Sequence, residues 1–294
     1  MWRLVDGAQV ETRRGIRFRR AGSPNGPPAL FLPGAGWTGA EGLAVARALP
    51  QFAWHCLDLP GTGGSLPLAK ADQRGIATWL DRFCSDVVHG PVHLAGHSLG
   101  GFLALAAAAA ATVPLRSLML IDSGVGPLAV PQELGAIAYL VPALARLDAW
   151  TGGVLIAGRP GRPAPPEPPE DPTELGRRFA LPQSEELQIA ALDRPGPGEA
   201  WNLDGRAVQR LGLVAAGLRQ RPALAALTVP TLELLALHPR GPAWTQKIVA
   251  QRRRLLRALP WVQVAELSTG HYPFWEDPAA FKQAVQEFYE ASAR

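Results

Sequence analysis

The chain has 294 residues, 47% of them hydrophobic and 18% charged, the composition of a globular protein with enough apolar material for a full core. Its formal net charge of +4 is carried mainly by arginine. The short clusters at Arg13–Arg14, Arg19–Arg20 and Arg252–Arg254 are too scattered for the concentrated basic face of a nucleic-acid binder. The first residues carry no apolar stretch of the secretory type, so a cytoplasmic location is expected. The most apolar run, Phe102–Ala111, is shorter than the roughly 20 residues of a membrane span. Cys56 and Cys84 suggest neither a disulfide framework nor a metal cluster, and no metal or cofactor is expected.

In chain order, Gln9–Ile16 and Arg17–Ala21 read as polar edge strands. Near-continuous apolar runs follow at Ala29–Leu32, Phe52–Leu57, Val92–Ala95, Leu115–Ile121 and Thr231–Leu237. Such runs predict strands buried on both faces of a parallel sheet. Helices are predicted between them over Gly39–Leu49, Gln73–Val88 and Leu99–Ala111. Strand–helix alternation of this kind implies an open, doubly wound α/β sheet. His55 and His93 fall within strands and read as core histidines.

The alternation stops after Asp122 and restarts at Val229. The stretch between predicts helical segments at Pro131–Trp150, Ser184–Leu192 and Gly205–Arg219. A proline-rich run, Arg159–Pro172, reads as a semi-rigid loop, because proline lacks the N–H that a helix interior or central strand needs. Beyond it come a helix over Ala243–Leu259, a strand over Val262–Leu267 and a closing helix over Pro278–Ala293. Asp277 is the expected N-cap of that helix, with Pro278 at its first position. The chain thus divides into a core of residues 1–126 and 229–294 and an insertion of residues 127–228.

Residues 92–101 read Val-His-Leu-Ala-Gly-His-Ser-Leu-Gly-Gly, an apolar strand running through Gly96-x-Ser98-x-Gly100 into a helix-forming run. A nucleophile on a sharp strand-to-helix turn sits in strained backbone, and flanking glycines let neighbouring chain approach without a Cβ clash. The turn lifts the hydroxyl above the sheet and sets the free N–H groups of the helix start beside a developing oxyanion.

With this elbow the chain resembles the α/β-hydrolase family over nearly its whole length. Phe31-Leu32-Pro33-Gly34-Ala35-Gly36 is similar to the family's loop after its third strand, with Pro33 where a histidine commonly stands. Asp58-Leu59-Pro60-Gly61-Thr62-Gly63-Gly64-Ser65 is similar to the turn after its fourth strand. Gly270-His271-Tyr272-Pro273, followed by Glu276-Asp277-Pro278 and Phe281, resembles the histidine loop and last helix. The resemblance implies a mostly parallel, eight-stranded sheet with an inserted, mainly helical cap. It implies Ser98 as nucleophile, His271 as general base, and the N–H groups of Ala35 and Leu99 as the oxyanion hole. Trp37, just after the oxyanion loop, and His97, inside the elbow, are the candidate substrate-binding residues, each lining the pocket or packing beneath it.

The acid departs from the family pattern. The family's usual aspartate follows the seventh strand, and alignment on Pro230-Thr231 sets Pro239 at that position; Glu233 falls inside the strand. Three readings stand: an acid displaced to Asp122 at the end of the sixth strand, a Ser–His dyad, or a scaffold without catalysis. A serine at the elbow implies acyl transfer through an acyl-enzyme. The expectation is hydrolysis of a carboxylic ester, or a related acyl bond, in a small apolar molecule. The apolar content of the insertion, with Trp150 and Trp201, either lines an apolar pocket or only holds the insertion together, and the first reading is the reason for an apolar substrate. A silent binding protein, and an acyltransferase or lyase using the same pair, are the alternatives.

Overall fold

The computed structural model describes residues 10–126, 205–241 and 243–292. One sheet is built from β1 (Val10–Arg13), β2 (Ile16–Gly22), β3 (Pro28–Leu32), β4 (Ala53–Leu57), β5 (Val92–His97), β6 (Leu115–Ile121), β7 (Thr231–Ala236) and β8 (Val262–Leu267). The order is β1-β2-β4-β3-β5-β6-β7-β8; β2 runs antiparallel to both neighbours and every other pairing is parallel. The expected eight-stranded, mostly parallel sheet is therefore present.

The apolar runs explain why both faces are covered. Side chains alternate across a strand, so Leu30 and Leu32 of β3 enter one core while Ala29 and Phe31 enter the other. On β6, Leu118 and Leu120 face the first core and Met119 and Ile121 the second. The first core is closed by α2 (Gln73–Phe83), α3 (Leu99–Ala109), α4 (Gly205–Gly217), α5 (Gln220–Ala225) and α6 (Ala243–Leu256), through residues such as Leu80, Phe102, Leu211, Leu224 and Val249. The second is closed by α1 (Gly42–Ala48), α7 (Pro273–Glu276) and α8 (Pro278–Ser292), through Leu43, Phe274 and Phe281. Burying one such Leu or Phe is worth about 1.5–3 kcal/mol, so a charge placed on either face of β3 or β6 would break the layer.

Two differences from the sequence expectation have clear causes. The break between β1 and β2 falls at Arg14-Gly15 rather than after Ile16. Both residues have positive φ, 49° and 78°, the two-residue turn that matches the twist of a hairpin. The Gly39–Leu49 helix begins as a single tight turn, Gly39–Glu41, capped by the hydroxyl of Thr38, and continues as α1. Asp277 does cap α8, its carboxylate accepting the N–H of Ala280 at 3.0 Å.

Of the expected insertion, residues 127–204 lie outside the described residues, with Pro131–Trp150, Arg159–Pro172 and Ser184–Leu192. Its remaining part supplies α4 and α5, which pack against α3 and join the first core. Cys56 and Cys84 are buried free thiols, each pushed up to about 12, chiefly by burial. Burial is also the main reason that His55, which is buried, and His93, which is only partly so, are lowered to about 4 and stay uncharged. Among the described residues no helix is long and apolar enough to cross a membrane.

Candidate active site

β5 delivers Ser98 to the start of α3 with φ 50° and ψ −121°. A non-glycine residue held there stores about 1–3 kcal/mol of strain. The surroundings impose it: the Ser98 N–H donates to the Ile121 carbonyl at 3.1 Å, and the Ser98 carbonyl accepts the Gly101 N–H at 3.1 Å. A Cβ on Gly96 would strike the Gly100 backbone, and one on Gly100 the Leu32 carbonyl. Leu99 is the first residue of α3, so its N–H has no acceptor within the helix.

The loop after β3 runs beside this turn. A Cβ on Gly34 would lie 3.4 Å from the Ser98 Cβ. Ala35, next along, is exposed, and Gly36 takes a φ of 80° that turns the chain away. The N–H groups of Ala35 and Leu99 thus belong to two segments that meet at Ser98. Trp37 and His97 occupy internal places. Trp37 is 3% exposed, its ring 5.1 Å from Trp275 and its indole N–H 3.3 Å from the Tyr272 hydroxyl. His97 is 1% exposed, with both ring nitrogens engaged. Neither presents much side-chain surface, so their contacts tie loops together.

His271 sits on the loop between β8 and α7. Glu276 fixes that loop by accepting the N–H groups on either side of His271, from Gly270 at 2.5 Å and Tyr272 at 3.1 Å. Nδ1 of His271 donates to Oδ2 of Asp122 at 2.6 Å. Asp122 is therefore the carboxylate that faces this imidazole, as the first of the three readings requires. The sheet explains the reach: β6 pairs with β7 and β7 with β8, so their ends lie side by side. Asp122 itself has a φ of 44°, and its N–H is held by the Leu234 carbonyl at 2.8 Å.

Two further residues meet Asp122, and the sequence did not single them out for this role. His238, at the end of β7 with a φ of 49°, donates from Nε2 to Oδ2 at 3.1 Å. Its ring stacks on His271 at 6.3 Å, and its N–H donates to the Thr269 carbonyl at 2.8 Å. Arg252, from α6, pairs through Nη1 with Oδ1 and donates from Nη2 to the Asp122 carbonyl at 3.3 Å. Asp122 is 2% exposed, and burial alone would raise its carboxyl; the Arg252 guanidinium and the two imidazole donors instead hold it well below the usual carboxylate range. It stays ionised at neutral pH. Burial and the charges of His97 and Arg252 lower His271, while Asp122 opposes them; the balance lies below the ordinary 6.5. His271 is thus uncharged at neutral pH, able to accept a proton at Nε2. Glu233 lies within β7 and is raised well above its usual range by burial, so it adds no second negative charge beside Asp122.

Ligand atoms of Asp122, His238 and His271 fall within 4.8 Å of one another, the spacing of a metal site. Here both imidazoles already donate to the same oxygen, and Arg252 brings a cation to the other. That donor set orients an imidazole better than it would hold a cation. Asp58 serves the architecture instead. Its carboxylate accepts N–H groups of Gly39 and Gly64, at 2.8 and 3.0 Å, and pairs with Arg17 at 2.8 Å. This joins β2, the turn after β4 and the segment leading to α1.

Comparison with known proteins agrees with the fold. The model of the alpha/beta hydrolase family matches residues 29–284. A 2-succinyl-6-hydroxy-2,4-cyclohexadiene-1-carboxylate synthase from Klebsiella pneumoniae is 33% identical over 99 residues, 34% of this chain and 39% of that protein. A pimeloyl-[acyl-carrier protein] methyl ester esterase from Aeromonas salmonicida is 34% identical over 99 residues, 33% of this chain and 38% of that protein. The matched stretch thus spans about two fifths of each curated relative. Among solved structures, the thioesterase domain from the curacin biosynthetic pathway superposes with a TM-score of 0.67 at 20% identity, covering 95% of this chain and 98% of that one.

Proposed function

Because this chain belongs to the alpha/beta hydrolase family, we propose that it is a serine hydrolase that cleaves a carboxylic ester, or a related acyl bond, of a small apolar molecule. The observation that carries the proposal is the hydrogen bond from His271 to ionised Asp122, on a loop that His97 ties to a serine in strained elbow geometry. Ser98 Oγ attacks the carbonyl carbon while Nε2 of His271 takes its proton. Asp122 fixes the imidazole with Nδ1–H toward the carboxylate and stabilises the imidazolium that forms. Negative charge on the carbonyl oxygen falls to the N–H groups of Ala35 and Leu99. The tetrahedral intermediate collapses, His271 returns the proton to the leaving alcohol, and an acyl-enzyme remains on Ser98. Water, deprotonated by His271, then repeats the sequence and frees the acid.

Among the relatives, the name of the methyl ester esterase speaks for ester cleavage, while the name of the synthase keeps the lyase alternative in view. Esters are the first choice because a serine nucleophile with an imidazole base needs only a modest leaving group. The silent-scaffold alternative takes its motive from a histidine without a carboxylate, and the 2.6 Å contact with Asp122 weighs against it. The test is covalent labelling by a fluorophosphonate together with turnover of short p-nitrophenyl esters. Ser98→Ala should abolish labelling and lower turnover by about a millionfold. Folded protein that neither labels nor turns over any ester would sink the proposal.

A further inference from the structure

We infer that Glu41 and His97 form a buried imidazolium–carboxylate pair that positions the oxyanion loop against the base and keeps His271 in its neutral form; the second part rests on the role proposed for His271.

Glu41 ends the tight turn before α1 and is fully buried; His97 is the last residue of β5, directly before Ser98. Nε2 of His97 lies 2.8 Å from the backbone carbonyl of His271, and Nδ1 lies 2.9 Å from Oε1 of Glu41. A carbonyl only accepts, so Nε2 carries a proton. In a neutral ring Nδ1 would then be an acceptor facing a carboxylate, and two acceptors do not bond. A further proton therefore lies between Nδ1 and Oε1. The other oxygen of Glu41 accepts the Gly34 N–H at 2.7 Å, and the imidazole, set between two acceptors, keeps the proton on the ring. Burial opposes a charge on His97, yet Glu41 and the His271 carbonyl outweigh it and hold the imidazole above its ordinary value.

The pair touches each part of the site. Glu41 grips Gly34, the residue before Ala35; His97 adjoins Ser98 and grips the carbonyl of His271 itself. One buried link therefore sets the spacing between oxyanion donors, nucleophile and base. The His97 ring lies 4.6 Å from the His271 ring, so its charge disfavours a second one there. The groups facing His271 are Asp122 at the end of β6, His238 at the end of β7, Arg252 from α6, Tyr272 alongside, and His97. Those facing His97 are Glu41, Asp122, Tyr272 and Phe274. Asp122 pulls a proton onto His271; Arg252 and His97 push it off.

Glu41→Gln isolates the charge. Its amide can accept from Gly34 and donate to Nδ1 of a neutral His97, so each hydrogen bond survives while the ion pair is lost. With the repulsion removed, the pKa of His271 rises. The acid limb of kcat/KM for p-nitrophenyl acetate then moves up by about half to one pH unit, with KM little changed. A purely structural role would lower the rate and leave the limb in place, and that result would overturn the inference. A second readout needs no activity: proton–nitrogen spectra of the wild-type protein with labelled histidine should show two ring N–H groups on His97 at neutral pH. A single ring N–H would refute the pair even if Glu41→Gln does not fold. Ester turnover surviving Ser98→Ala would instead defeat the hydrolase proposal, leaving the spectrum to judge the pair.

Discussion

The corners after β6 and β7 make an instructive contrast. Each ends a neighbouring parallel strand, each carries a non-glycine residue in the left-handed region, and each reaches Oδ2 contacts around His271. Yet the first supplies a carboxylate, 2% exposed and clamped by Arg252, and the second supplies an imidazole, 19% exposed. The place that faces the His271 imidazole is thus a place in space, reachable from either strand end. What separates the corners is the guanidinium: it compensates a buried negative charge at Asp122, whereas His238 needs no such compensation.

The contrast breaks most directly at Asp122. Asp122→Asn keeps the shape and removes the charge, so an imidazole in the wrong tautomer results, and kcat should fall about 10^4-fold. Steady-state turnover of a p-nitrophenyl ester measures it. An unchanged rate would mean that Ser98 and His271 act as a dyad.

Arg252→Met tests the clamp. It leaves Asp122 buried without its main counter-charge, and stability should drop by about 3–5 kcal/mol in urea unfolding. The sign with pH follows from the lowered pKa of Asp122: the stabilisation is fully present above the ordinary carboxylate value of 3.8 and is lost as pH falls through the lower folded-state value. The gap between wild type and variant should therefore be widest where Asp122 is ionised in both, and should narrow toward acid as the variant's carboxylate, left buried without Arg252, takes up its proton first. A gap that widens in acid would show that Arg252 acts elsewhere.

The two corners are unequally legible in the sequence. Ser98 and His271 lie in local motifs whose spacing carries the geometry, and the structure brings their loops together through His97. Asp122 stays one option of three at that level, because the choice depends on which strand end approaches the imidazole, a tertiary fact. His238 reads only as part of a segment lacking an acid; Arg252 reads by pattern as one of a surface cluster, although its guanidinium is buried. Glu41 looks like an ordinary helix-start residue, and nothing in its neighbourhood of sequence points to a histidine 56 positions away. The sheet is readable because strands buried on both faces leave continuous apolar runs. The hairpin at Arg14-Gly15 is not, since a polar edge strand gives a weak period.

Moving the acid sharpens the contrast further. In an Asp122→Asn background, His238→Asp places a carboxylate on the β7 corner, where the φ of 49° suits aspartate. Its shorter side chain reaches less far, so about a hundredfold of the lost rate should return, short of full recovery. No recovery would mean that Arg252, which faces the β6 corner, is indispensable to a working acid.

The smallest effect is expected from His238 alone. Its Nε2 shares Oδ2 with His271, but at 3.1 Å against 2.6 Å, and from a side chain open to water. Losing a partly exposed hydrogen bond to a charged group costs about 1 kcal/mol, so His238→Leu should lower kcat/KM by less than about tenfold. With one donor fewer on Oδ2, the carboxylate charge acts more fully on His271, and the pKa of the base rises. The acid limb of kcat/KM therefore moves upward, in the same direction as for Glu41→Gln but through the opposite side of the ring. His238→Gln retains a donor and should leave both rate and limb near wild type. A loss for His238→Leu that approached the effect of Asp122→Asn would erase the contrast between the corners, because the acid would then be Asp122 and His238 acting as one unit.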